Sequence, residues 1–153
     1  MRRVLIGMLA GVLCMTSVCF ANNNWFGFEY GMEKAKNDHK LVMLKFESPG
    51  CGSCADLELT FQKPDVAKRL DEFVCIRITS NDPKAKLVYK GLEMEVRDLM
   101  KLFQVHGRPA LVFLTSDGDY LNTFNGSIRK KRMVEILDAM RASQAPSPAG
   151  AAA

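Results

Sequence analysis

Residues 41–54 read Leu-Val-Met-Leu-Lys-Phe-Glu-Ser-Pro-Gly-Cys-Gly-Ser-Cys. The first seven form a nearly continuous apolar run, which is typical of a buried strand, and Ser-Pro-Gly ends it. We predict a helix over residues 51–62, so that Cys51 lies at a helix N-terminus, where free N–H groups favour a thiolate. Cys54 follows one turn later on the same face, within reach of a disulfide. Such a pair can exchange with a partner disulfide, because one sulfur attacks and the other resolves the intermediate.

A Cys-X-X-Cys pair can also attach haem, bind a metal or form a structural disulfide. Haem attachment needs histidine after the second cysteine, where this chain has Ala55, and is excluded. A closed zinc site needs four ligands, and the remaining candidates, Cys75, His39 and His106, lack ligand spacing. A structural disulfide around so small a loop would constrain the unfolded chain little. The pattern therefore favours a redox pair, with no cofactor and no metal.

Helices and strands alternate on both sides of the pair. Helices are predicted over residues 29–38, 51–62, 64–70 and 95–103, strands over 41–47, 73–79, 110–115 and 120–124, and a last helix is capped by Ser127. Asp-Gly within residues 116–119 is a strong signal for a hairpin between the last two strands. This order predicts an α/β fold, with a mixed central sheet of four to five strands flanked by helices on both faces.

The first 21 residues have the pattern of a secretory signal peptide. Arg2 and Arg3 precede a mostly apolar run, and Cys19 and Ala21 supply small residues at the −3 and −1 positions of a cleavage site. A lipoprotein anchored at Cys19 is the less favoured alternative, because bulky Val18 stands where a small residue is preferred. We therefore expect an exported protein.

The 153-residue chain is 48% hydrophobic and 25% charged, which suits one compact domain and is too short for two. We predict a signal peptide over residues 1–21, a folded domain over residues 22–143 and a disordered tail over residues 144–153. Loss of the two signal arginines takes Lys plus Arg from 21 to 19 against 17 Asp plus Glu, a net charge of about +2. So small a charge gives no case for nucleic acid as a partner. Cys75 is interpreted as a small buried hydrophobe.

Several short motifs resemble the thioredoxin superfamily. They are Lys45-Phe46, Cys51-Gly52-Ser53-Cys54, Val105-His106-Gly107-Arg108-Pro109, Gly118 and Phe124-Asn125-Gly126. A second set resembles the periplasmic C-terminal domain of the thiol:disulfide interchange protein DsbD: Thr60-Phe61, Pro64, Val66, Leu70 and Thr79-Ser80-Asn81-Asp82. The inserted residues 88–102 are closer to exported thioredoxins of the SoxW type. The resemblance covers roughly residues 26–141 and implies a thioredoxin fold.

The resemblance also implies roles for individual residues. Cys51 would be the nucleophile, Cys54 the resolving thiol, and the Arg108–Pro109 peptide bond would be cis and face them. The Arg108 backbone would then pair with an incoming substrate strand. The implied activity is periplasmic reduction of exported protein disulfides, with a membrane thiol–disulfide electron donor restoring the dithiol. A disulfide oxidase or isomerase, or a binding or metal-chaperone module on the same fold, is the alternative.

The site departs from the family pattern at three positions. Lys45 stands six positions before the first cysteine, where family members often carry an acidic residue that assists proton transfer. Glu47 is a candidate substitute for that acid, but a Glu47 exposed to solvent at the end of the strand is the favoured interpretation. Gly50 replaces the aromatic residue often found just before the pair. Arg108 stands where Thr, Val or Ile is usual. If Arg108 approaches Cys51, it should lower the pKa of that thiol and make the disulfide more oxidising; a solvent-facing Arg108 is the alternative.

Overall fold

The computed structural model describes residues 25–79 and 81–144. The predicted signal peptide lies outside the described residues, as does the predicted tail from residue 145 onward. Gln144, assigned to the tail, is instead the last residue of the final helix, and its Nε2 donates to the His39 carbonyl. Within the described ranges, no helix combines the length and the apolar character that a membrane crossing requires.

The described chain forms seven strands and five helices. In order they are β1 (Trp25–Phe26), α1 (Phe28–Asp38), β2 (Leu41–Glu47), α2 (Gly52–Phe61), α3 (Pro64–Leu70), β3 (Phe73–Thr79), β4 (Lys86–Tyr89), β5 (Leu92–Glu95), α4 (Val96–Leu102), β6 (Ala110–Leu114), β7 (Tyr120–Asn125) and α5 (Lys130–Gln144). The predicted helices and strands are present. The predicted cap at Ser127 is wrong, because α5 begins at Lys130 and the Arg129 carbonyl accepts from Met133 N.

Five strands form one mixed sheet in the order β1-β3-β2-β6-β7. β2 runs parallel to β3 and antiparallel to β6, with Phe46 paired to Ala110, so β2 ends at the edge where β6 begins. Alternate residues of β2 join two core clusters, one under α1 and α4 and the other under α2, α3 and α5. Burial on both faces explains the continuous apolar run of β2. The predicted sheet, with helices on both faces, is confirmed.

A second, two-stranded sheet was not predicted. β4 and β5 pair antiparallel across a turn at Lys90 and Gly91, whose φ angles are 50° and 79°. Leu87 and Tyr89 are buried in the cluster under α1, and the Tyr89 hydroxyl donates to the Gly118 carbonyl at 2.6 Å. The hairpin therefore extends the core on that face of the main sheet.

Candidate active site

The two cysteines of the Cys-X-X-Cys pair differ in exposure. Cys51 is half-buried and is the N-cap of α2, while Cys54 lies in the first turn and is only 5% exposed. They form a disulfide with a Cα–Cα distance of 5.2 Å. The Cys54 backbone N–H donates to Cys51 Sγ at 3.2 Å. A backbone donor and a helix N-terminus both favour negative charge, so this position suits Cys51 as a thiolate.

The Arg108–Pro109 peptide bond is cis, as expected. Pro109 is buried directly before β6, whose pairing with β2 places it at the sheet edge from which the chain continues to Cys51. β7 and the residue after it hold this loop in place: Gly126 N donates to the Pro109 carbonyl at 2.8 Å, and His106 N donates to Asn125 Oδ1 at 2.9 Å. These hydrogen bonds tie the loop to the last strand of the sheet.

Arg108 and Gly50 flank the pair differently. The Arg108 guanidinium is half-buried and donates from Nη2 to Met100 Sδ at 3.5 Å, so the solvent-facing alternative is wrong. The structure places this side chain against α4, and its influence on Cys51 stays a prediction. Gly50 is exposed with a φ of 73°, and a Cβ there would meet open space. This side of the cysteine pair is therefore open.

Lys45 is buried beneath α2. Its side chain is 1% exposed, and Nζ lies 2.6 Å from Glu47 Oε2 and 2.6 Å from Glu58 Oε2. Nζ also lies 5.5 Å from the Trp25 ring centroid and 5.6 Å from the Phe61 ring centroid. A buried ammonium needs such partners, because an unpaired charge is costly in a low-dielectric interior.

Glu47 is paired rather than solvated, which corrects the favoured interpretation from sequence. It is 16% exposed, contacts Lys45, lies 3.3 Å from Arg77 Nε and accepts from the Thr79 hydroxyl at 2.9 Å. Burial alone would raise the pKa of Glu47, but the hydrogen bonds and positive charges of these partners outweigh it and hold the pKa below its usual range. An ionised carboxylate held in this way is a weak base.

Lys45 and Glu47 belong to a charge cluster of four side chains, and sequence reasoning missed the other two members, Glu58 and Arg77. Glu58 bridges Lys45 and Arg77, whose Nη2 donates to both Glu58 carboxylate oxygens at 3.2 Å. A signal existed for Glu58, since it follows Cys54 by four residues and so lies on the same helix face. Arg77 pairs in register with Lys45 on the neighbouring strand, which only the tertiary structure reveals.

Cys75 is expected to be unreactive in the folded protein. It is buried in β3, and burial raises the pKa of its thiol to about 12, with the negative charges of Asp71 and Glu58 acting in the same direction. After reduction of the pair, iodoacetamide at pH 8 should modify Cys51 within minutes and leave Cys75 intact. Mass spectrometry of tryptic peptides measures both, and unfolding in guanidinium serves as the control that exposes Cys75. Equal labelling of the two cysteines in the native protein would contradict the prediction.

A Cys-X-X-Cys pair at the start of a helix in this fold is typical of thiol–disulfide oxidoreductases. A family model described as a thioredoxin-like domain matches residues 28–141, and the chain belongs to that family. No curated protein matches.

Solved structures agree with this assignment. The reduced C-terminal domain of DsbD from Neisseria meningitidis has a TM-score of 0.56 at 25% identity over 73% of this chain and 92% of that one. A structure described as DsbH oxidoreductase has a TM-score of 0.60 at 18% identity, and the match covers 88% of this chain and 95% of that one. A disulphide isomerase from Xylella fastidiosa Temecula1 has a TM-score of 0.55 at 18% identity, and the match covers 73% of this chain and 86% of that one. The thioredoxin fold and the resemblance to the DsbD domain are thereby confirmed.

Proposed function

We propose that this protein is an exported, periplasmic thiol–disulfide oxidoreductase that reduces the disulfides of other exported proteins. The observation that carries the proposal is the unequal exposure of the two cysteines, with the more exposed one, Cys51, at the start of α2. The resemblance to the DsbD domain and the signal-peptide pattern support export. Cys51 acts as the nucleophile and Cys54 as the resolving thiol.

The exchange proceeds in two steps. The Cys51 thiolate attacks one sulfur of a substrate disulfide, forms a mixed disulfide and releases the other substrate sulfur as a thiolate. Cys54 loses its proton and attacks Cys51 Sγ, which frees the second substrate sulfur. The substrate gains two electrons, and two protons from solvent complete its thiols. The protein is left with the Cys51–Cys54 disulfide.

Another thiol–disulfide protein must then return two electrons to the pair. The bacterial periplasm is kept oxidising, so a reductase there needs a donor that carries electrons from the cytoplasm. A membrane thiol–disulfide protein fits this requirement. Its dithiol would reduce the Cys51–Cys54 disulfide by the same two-step exchange.

Replacing Cys54 with alanine should trap the mixed disulfide. The Cys54→Ala variant retains the nucleophile and lacks the group that resolves it, so Cys51-linked adducts with exported proteins should accumulate. Non-reducing electrophoresis and mass spectrometry of the periplasmic fraction measure them. Adducts should disappear with dithiothreitol and be absent from a Cys51→Ala/Cys54→Ala control.

Two results would reject or redirect the proposal. No trapped adduct, together with a wild-type protein inert toward insulin disulfides, would indicate a binding module on this fold. A trapping protein with a strongly oxidising equilibrium against glutathione would act as an oxidase or isomerase instead. Recovery of the protein only from the cytoplasm would contradict the proposed location.

A further inference from the structure

Four consecutive cations form a basic run at the start of α5. They are Arg129, Lys130, Lys131 and Arg132, and all four are exposed. No acidic residue occurs between residues 120 and 134. Loss of this run together with the two signal arginines would take Lys plus Arg from 21 to 15 against 17 Asp plus Glu. The positive net charge of the predicted mature chain is therefore concentrated on this surface.

Ion pairs within the protein use only part of this charge. Lys130 Nζ lies 2.6 Å from Asp65 Oδ2, and Arg132 Nη1 lies 3.2 Å from Glu135 Oε2. In the described part of the chain, the other two cations of the run have no carboxylate within 4.0 Å. Positive charge is also unfavourable at a helix N-terminus. These two cations therefore contribute little to folding, and their charge is available to a partner.

The basic run lies at the same edge of the sheet as the cysteine pair. Phe46 in β2 and Asn125 in β7 both pair with Ala110 at the start of β6, so they are about 10 Å apart by the spacing of neighbouring strands. Cys51 follows Phe46 by five residues, and Arg129 follows Asn125 by four. A protein whose disulfide meets Cys51 therefore lies over the edge that carries the run.

The apolar neighbours of the run point into the core. Ile128 and Met133 are 7% and 0% exposed, and both belong to the cluster under α2, α3 and α5. Helices that bind a lipid surface place exposed apolar side chains beside their cations. Residues 126–133 have no exposed apolar side chain, so the charge of the run suits an acidic protein segment better than a membrane.

Arg108 adds another cation to this edge, on the opposite face of the sheet. It precedes Pro109, whose carbonyl accepts from Gly126 N, and its guanidinium contacts the Met100 thioether of α4. Its Nε is buried without a hydrogen-bond partner. Asp56, in α2, is the exposed acid closest in sequence to the pair. Cations thus flank the cis-proline loop on both sides and outnumber the acid beside it.

We propose that the basic run selects the substrates of this protein, which are exported proteins with acidic residues beside their disulfide cysteines. Attraction between opposite charges raises the rate at which such a segment reaches Cys51, and salt screens this attraction. The run acts on the encounter and takes no part in the bond changes of the exchange. This inference rests on the proposed reductase function.

Disulfide peptides that differ only in charge test the selection. Three synthetic peptides, each with one internal disulfide, carry Glu, Gln or Lys on both sides of each cysteine. Acid quenching and chromatography measure how fast the reduced protein converts each peptide to its dithiol. At low salt, we expect the acidic peptide to react about tenfold faster than the neutral one, and the basic peptide more slowly. In about 0.5 M NaCl, the acidic and neutral peptides should react within about twofold of each other.

Substitutions in the run should change this preference. Arg129→Gln/Lys131→Gln should lower the ratio of the acidic to the neutral rate by at least about threefold, and Arg129→Glu/Lys131→Glu should favour the basic peptide. Both variants should fold, because the two residues are exposed and form no ion pair within the described chain. Circular dichroism and thermal unfolding check this.

A matched control separates the position of the charge from the net charge. Lys36→Gln/Lys68→Gln also removes two exposed lysine charges, from the last turns of α1 and α3. These turns precede the paired starts of β2 and β3, so they lie at the opposite edge of the sheet. This control should keep the wild-type ratio of acidic to neutral rates.

The outcomes distinguish this inference from the proposed function. A wild-type protein that reduces all three peptides equally, or a preference that the control loses as completely as Arg129→Gln/Lys131→Gln, would overturn the role of the run alone. Absence of a peptide preference, with binding to phosphatidylglycerol vesicles that Arg129→Gln/Lys131→Gln abolishes, would assign the run to a membrane instead. A wild-type protein that reduces none of the peptides would overturn the reductase function on which the inference rests.

Discussion

Replacing Cys51 with serine is expected to abolish disulfide reduction, with a loss of at least about 1000-fold in rate. The serine hydroxyl does not ionise near neutral pH, so neither the N-terminus of α2 nor the Cys54 N–H can convert it into a nucleophile. Cys54 cannot substitute for it, because that residue is only 5% exposed. Dithiothreitol-driven precipitation of insulin, followed by turbidity, measures the rate.

Cys75→Ala provides the matched control for that loss. It also removes one sulfur, but from the interior of β3, where the thiol faces core residues. Its activity should stay within about twofold of wild type after correction for any change in stability. Substantial activity of Cys51→Ser, or a comparable loss in Cys75→Ala, would show that the reacting sulfur has been misassigned.

The parts of the site that sequence predicted are those that local patterns determine. The apolar run of β2 predicts a strand buried on both faces, and Ser-Pro-Gly predicts where that strand ends. The two cysteines lie at the start of the helix that follows. The cis conformation of the Arg108–Pro109 peptide bond was expected, because residues 105–109 resemble the corresponding motif of the thioredoxin superfamily. Each of these depends on residues adjacent in the chain, so neither tertiary contacts nor register had to be known.

The charge cluster could not be predicted in the same way. Lys45, Glu58 and Arg77 lie on a strand, a helix and the neighbouring strand, and their contacts depend on how α2 packs over the sheet. Sequence suggested Glu47 as a substitute for the missing acid in proton transfer but favoured solvent around it. The Glu47 carboxylate is in fact partly buried and paired with Lys45, Arg77 and the Thr79 hydroxyl, and these contacts depend on the tertiary structure.

The β4–β5 hairpin was missed for a different reason. Its strands have four residues each, and β5 carries two glutamates, so neither shows a long apolar pattern. The Lys90-Gly91 turn was the available signal, since two residues with positive φ suit a tight hairpin. Short strands of this kind gain stability by packing on a preformed core, here through Leu87 and Tyr89.

Replacing Gly31 with valine is expected to lower the free energy of unfolding by about 3 kcal/mol. Gly31 packs α1 directly on β3: a Cβ at this position would lie 2.4 Å from Ile76 Cγ1 and 2.6 Å from Ile76 Cδ1. Helix propensity alone predicts the opposite sign for Gly31→Ala, a gain of about 1 kcal/mol. We expect the contact with Ile76 to outweigh that gain, so alanine should also destabilise, by less than valine. Urea unfolding followed by circular dichroism measures both variants.

A double-mutant cycle isolates the contact that causes this loss. Ile76→Ala alone should cost about 2–4 kcal/mol by leaving a cavity. Combined with Gly31→Val, the added methyl groups occupy space that Ile76 vacates, so the total loss should fall short of the sum by at least about 1 kcal/mol. Gly31→Val combined with Ile136→Ala, from the cluster on the opposite face of the sheet, should instead be additive. Additivity with both partners would mean that α1 does not approach β3 as closely as Gly31 allows.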